Sequence, residues 1–136
     1  MSPDKIIAVA RGAIGTPFRH QGRSLDTGLD CVGLACYIAD ACGLGYDDLK
    51  GYSRTPGNGL LEAALDGQPC LERIPAPEPG CLLLLRISRS PQHAAILAGD
   101  TLIHAWSDAG KVCEHVFDAA WRRRVVRCYR FRGVAP

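Results

Sequence analysis

The sequence predicts an α+β fold, with helices in the first half and an antiparallel sheet in the second. Three observations carry that reading. Ile6, Ile7, Ala10, Ala13 and Ile14 recur at helical spacing, and residues 31–42 repeat a helical, largely apolar pattern. The connector PAPEPG, residues 75–80, then interrupts the chain, and beyond it the apolar residues come in short runs separated by turn residues. Helices followed by strands, with no internal repeat and no low-complexity segment, describe a single domain over residues 1–136.

Each element has a local reason. Ser2-Pro3-Asp4 offers a hydroxyl cap, a proline for the first turn and an acid at the positive helix end, so the first helix starts there and runs to near Gly15. Residues 15–29, GTPFRHQGRSLDTGL, are rich in Gly, Pro and polar groups and read as loop. Cys31 to Cys42 forms the second helix, closed by Gly43. Asn58 to Asp66 supports a shorter helix stopped by Gly67. Strands are predicted at Cys81–Arg86, His93–Ala98, Thr101–Ala105, Val112–Val116 and Val125–Phe131, the last without clean side-chain alternation, and Asp118–Arg123 adds a helical turn.

Composition removes several classes of function. With 47% apolar and 22% charged residues the chain has an ordinary globular balance. Its longest apolar runs, such as Cys81 to Leu85, are too short for membrane insertion. Residues 1–15 show neither a cationic leader nor a small-residue cleavage site, which predicts synthesis in the cytoplasm without a signal peptide. Seven cysteines, an odd number with no C-x-x-C pair, argue for reduced thiols and against a zinc ribbon. Cys81, Cys113 and Cys128 read as small buried hydrophobes, and Cys36 and Cys42 as packed helix residues. Residues 1–121 hold 10 basic and 14 acidic side chains, a net of −4, whereas residues 122–132 add six arginines. That block reads as the outward side of an edge strand, where charge discourages aggregation. No signature of a nucleic-acid-binding fold accompanies it.

Cys31 stands apart from the other cysteines. Asp30 can cap the following helix, which puts Cys31 in the first turn, where free N–H groups and the helix dipole favour a thiolate. Gly33 and Ala35 leave room near the sulfur for another backbone or a substrate. Taken alone, the motif reads equally as a buried structural cysteine. A reactive thiolate needs a base and an orienter for that base. If Gly99-Asp100 is a two-residue turn, Ala98 faces Thr101, Ala95 faces His104 and His93 faces Trp106. His104 then lies diagonal to His93 on one face, within reach of an imidazole–imidazole hydrogen bond. A three-residue loop would break this parity. For each histidine the alternatives are a satisfied core residue or a zinc ligand. His20, in the loop before Cys31, is a candidate lining residue, and His115 reads as a solvated residue of a late strand.

GTPFRHQGR, LDCVGLA, QHAAILAG and LIHAW, in that order and spacing, resemble the NlpC/P60 family over roughly residues 3–132. The resemblance implies a papain-like fold in which N-terminal helices pack on an antiparallel β-sheet. It makes Cys31 the nucleophile, His93 the base and His104 the third residue of a Cys-His-His triad, with no cofactor and no metal. Asp30, Phe18, His20 and Arg23 become candidate substrate contacts. The family typically cleaves peptidoglycan stem peptides, often between D-γ-glutamyl and diaminopimelate or lysine. The wording P-F-R-H-Q-G-R resembles its phage and prophage branch, which implies association with other phage tail proteins and delivery to the cell wall on a virion tail. Two positions depart from the family pattern: Phe18 stands where tyrosine is common and Val32 where serine is usual. They keep open a catalytically silent tail-assembly component with the same fold. A third reading is a papain-like amidase or acyltransferase for a small amide or lipid, although no amphipathic membrane helix is apparent.

Overall fold

A computed structural model describes residues 1–53, 59–88 and 91–135, apart from the side chain of Pro91. Helix α1 spans Pro3–Gly12, with Pro3 and Asp4 in its first turn. Ser2 takes the extended conformation of a capping residue, but its hydroxyl makes no capping bond, contrary to the sequence expectation. The capping position is filled, and the helix start rests instead on Pro3, the acid at Asp4 and the burial of Ile6, Ile7 and Ala10. The segment expected as plain loop contains a small hairpin, β1 (Arg23–Ser24) and β2 (Gly28–Leu29).

Helix α2 spans Cys31–Ala41 and ends as its glycine predicts. Gly43 adopts φ +70°, its N–H bonds Asp40 O and the N–H of Leu44 bonds Ala39 O, which satisfies the last carbonyls. Helix α3, Leu60–Asp66, stops at Gly67; the expected start at Asn58 lies outside the described residues.

Strands β3 (Leu71–Ile74), β4 (Leu82–Arg86), β5 (Pro91–Leu97), β6 (Thr101–Trp106) and β7 (Lys111–Val116) follow, then α4 (Ala119–Arg122) and β8 (Val125–Phe131). They form a six-stranded antiparallel sheet in the order β3-β8-β4-β5-β6-β7. Strand β3, LERI, escapes sequence reading because its four residues include two charges and too little apolar pattern. Both faces of the sheet are covered. Leu82, Leu84, Ala94, Ile96 and Ile103 pack toward α1 and α2, while Leu83, Leu85, Ala95, Leu97 and Leu102 meet Phe117 and Trp121 on the other side. Two buried faces explain why β4 reads as an unbroken leucine run. A bulge between Leu84 and Leu85 shifts their partners from Arg127 to Val125, which accounts for the irregular alternation of β8.

The basic block is not on an edge. Strand β8 lies between β3 and β4, and its arginines face carboxylates: Arg127 pairs Glu62 and Asp66, Arg130 pairs Glu72 and Glu78, and Arg132 reaches Glu72. The acidic surplus of α3, β3 and the connector meets half of the block, while Arg124 bonds the carbonyl oxygen of Arg86 and Arg122 lies over the ring of Phe117. Cys113 is half-buried rather than buried, and all seven cysteines are free. No described helix is long and apolar enough to cross a membrane.

Candidate active site

The site is built where the start of α2 meets the ends of β5 and β6. Asp30 takes an extended conformation and its Oδ1 accepts the N–H of Gly33 at 2.8 Å, so Cys31 is the first residue of the helix. Asp30 does more than cap. Its carboxylate also accepts the N–H of Gln21 at 2.8 Å, Nη1 of Arg23 at 3.1 Å and the hydroxyl of Tyr52. Only 4% of Asp30 is exposed, so four donors replace its water. Gly33 is required for this knot: a Cβ there would sit 2.0 Å from the carbonyl oxygen of Gly22. The space the sequence reserved beside Gly33 therefore receives backbone rather than substrate.

The opposite wall comes from the β5–β6 hairpin. Ala98 N–H bonds Thr101 O at 2.8 Å across Gly99-Asp100, with Gly99 at φ +81°, and Ile96 and Leu97 pair Ile103 and Leu102. That is the two-residue register. His93 and His104 accordingly meet, Nε2 of His93 lying 2.7 Å from Nδ1 of His104. Trp106 stacks on His104 with centroids 5.4 Å apart and packs against His93 at 5.1 Å.

A cleft of about 250 Å³ separates the two walls. Cys31, Asp30, His93, Phe18, His20 and Tyr52 all line it. Among the described residues no direct hydrogen bond joins Cys31 to His93. Such contacts commonly tighten only when substrate binds. Arg23, expected at the substrate, is not among the lining residues. It turns behind Asp30 to Asp48, at 3.0 Å, and to Leu49 O, at 2.9 Å, because the buried carboxylate of Asp30 requires a cation.

The electrostatics correct one expectation. The helix start was expected to ease ionisation of Cys31, but its thiol is pushed up to about 12. Burial is the largest cause and the charge of Asp30 the next; the N–H groups of Ala94, Val32 and Cys31 act the other way and are outweighed. Burial lowers His93 to about 3, and burial with its histidine neighbours lowers His104 to about 2. The cleft at rest is thus lined by a neutral thiol and a neutral imidazole. Such a pair exchanges its proton when a substrate's developing charge makes the transfer favourable.

Two residues of the site were missed from sequence. Tyr52 lies in a stretch without periodic pattern, and only the fold brings its phenol to Asp30. His115 was read as solvated. It instead approaches His104, Nε2 to Nε2, at 2.7 Å. The signal existed: in the β6–β7 pairing His104 faces Cys113, so His115 is its diagonal neighbour. Among the described residues no group of three His, Cys, Asp or Glu side chains is arranged to hold a metal ion.

Comparison with known proteins gives the same architecture. Residues 15–130 match the NlpC/P60 family model. Comparison with curated protein sequences gives no match. Among solved structures the chain is similar to the NlpC/p60 domain of the peptidoglycan hydrolase SagA, at 24% identity and a TM-score of 0.62, with 94% of this chain and 97% of that one covered. It is similar to the P60 domain of an antigen of Mycobacterium avium subspecies paratuberculosis, at 20% identity and a TM-score of 0.65, covering 94% and 93%. A third likeness is to the peptidoglycan hydrolase RipB of Mycobacterium tuberculosis, at 17% identity and a TM-score of 0.61, with 94% of this chain and 63% of that one covered. The fold is papain-like, helices on an antiparallel sheet.

Proposed function

The chain belongs to the NlpC/P60 family, and on that premise we propose that it is a cysteine endopeptidase that hydrolyses peptidoglycan stem peptides at the bond between D-γ-glutamyl and the following diamino acid. One observation carries the reading: Cys31 at the start of α2 and His93, itself hydrogen-bonded to His104, line a single cleft.

The sulfur attacks the amide carbonyl as its proton passes to His93. Backbone N–H groups at the start of α2, that of Cys31 among them, stabilise the oxyanion. The imidazolium returns the proton to the leaving amine, and the thioester then yields to water activated by His93. His104 holds the base in orientation. This route calls on no cofactor. Phe18 and His20 form the cleft wall on the side of the loop before α2, beside Tyr52, whose hydroxyl is taken by Asp30. In this reading Asp30 serves the substrate through the residues it holds. The tail association expected from the P-F-R-H-Q-G-R wording belongs to the same proposal, as the route by which the enzyme reaches the wall.

Whole peptidoglycan incubated with the protein and separated by mass should yield fragments cut at the γ-glutamyl bond, and Cys31→Ala should yield none. Unchanged release by the variant ends the proposal. The neutral resting pair and the absent Cys31–His93 bond favour a second reading, a structural component with a silent site. Its signature is the absence of any new fragment from the unaltered protein.

A further inference from the structure

Three strands each contribute one histidine to a continuous row. His104 lies opposite Ala95 by continuation of the β5–β6 register, and opposite Cys113 in the β6–β7 register. His93 and His115 are therefore its diagonal neighbours on either side. The contacts are His93 Nε2 to His104 Nδ1 at 2.7 Å, His104 Nε2 to His115 Nε2 at 2.7 Å, and His115 Nδ1 to the carbonyl oxygen of Val116 at 3.0 Å.

We propose that His115 is a positioning residue for this site, which sets the tautomer of His93 through His104. The inference rests on His93 being the base. A peptide carbonyl can only accept, so when His115 carries a single ring proton, its contact with Val116 places that proton on Nδ1. Nε2 of His115 is then an acceptor and takes the N–H of His104 Nε2. That leaves Nδ1 of His104 as an acceptor, which takes the N–H of His93 Nε2. The remaining lone pair of the row is on Nδ1 of His93, the nitrogen left to receive the proton of Cys31 from the cleft.

Reversing the row would put a hydrogen on Nδ1 of His93 and remove the base. Two imidazoles alone have no preferred direction, since either can donate. The carbonyl at the end of the row supplies it. His104 is fully buried, so no water competes at the middle ring of the row, while the His115–Val116 bond lies at the exposed end. Trp121 closes the outer side, its ring 5.3 Å from that of His104 and 5.1 Å from that of His115. Trp106 covers the inner side, stacked on His104 and tilted against His93.

Nitrogen-15 NMR of the histidine-labelled protein reads the tautomers directly. The expected pattern is Nε2–H on His93 and His104 and Nδ1–H on His115. An Nδ1–H tautomer on His93 overturns the proposal without reference to activity. In kinetics on muropeptides, His115→Phe keeps a ring but removes the acceptor for His104. It should lower kcat about tenfold with KM unchanged, the scale of one hydrogen bond. His115→Gln, whose amide oxygen can accept from His104, should recover kcat to within about threefold of the unaltered protein. Equal kcat for the unaltered protein and a folded His115→Phe overturns the proposal, as does a Gln variant no better than Phe. If the unaltered protein cleaves nothing, the endopeptidase reading fails, while the NMR pattern still decides the row.

Discussion

The two walls of the cleft are held by opposite kinds of polar network. Behind Cys31 lies a charged knot, with Asp30 taking donors from Gln21, Gly33, Arg23 and Tyr52. Behind His93 lies a row of three imidazoles that ends on a carbonyl. The knot fixes backbone: it ties loop, hairpin and helix start to one carboxylate, and its cost is a charge that opposes ionisation of the neighbouring thiol. The row fixes direction, since neutral rings carry a proton pattern without placing charge in a dry site. The proposed nucleophile and base are thus positioned by different physics on the two walls of one cleft.

The contrast can be broken first at its reactive atom. Cys31→Ala should abolish fragment release, by about 10³-fold or more, with little change in melting temperature, because the sulfur serves neither network. Next comes the row under acid. The folded values of His93 and His104 lie below that of an unfolded histidine, so the unfolded chain binds more protons. Stability should be complete above about pH 6.5 and fall progressively toward pH 3, with a loss on the order of 3 kcal/mol at pH 4 from His93, read by thermal melts across pH. A melting temperature unchanged from pH 7 to 4 would contradict the burial of neutral His93 and His104.

The knot has a smaller and different signature. Asp30→Asn keeps an acceptor for Gly33 but removes the charge, so the fold should lose about 2 kcal/mol. The thiol of Cys31 should at the same time titrate lower, because the second-largest cause of its raised value is gone. Alkylation of Cys31 followed by mass across pH checks the direction; an unshifted or higher titration would remove Asp30 from the account. The smallest effect belongs to Tyr52→Phe, which deletes one donor of four and should cost about 1 kcal/mol in denaturant melts, with the cleft intact.

Much of the site was readable along the chain. Asp30 as a cap, Cys31 in the first turn and the His93–His104 pairing all follow from local rules: cap chemistry, helix period and the parity of a two-residue hairpin. Tyr52 was not readable, because 22 residues separate it from Asp30 and no period marks it. His115 failed for another reason. The parity argument used for His104 was not carried across the next hairpin, where Leu102 faces His115. The arginine block was misread because sequence gives strand composition but not strand order: β8 inserts between β3 and β4, and carboxylates from α3, β3 and the connector come to meet it.

What the sequence by itself determined is most of the local structure, since caps, periods and turns depend on neighbours within a few residues. It also determined that Cys31 opens a helix and that, given a two-residue turn, two histidines on adjacent strands share a sheet face. Tertiary structure alone decided the order of strands, the saturation of Asp30 and the protonation of the thiol. These depend on which groups exclude water from one another, and groups distant in the chain become neighbours only when the sheet and helices close around them.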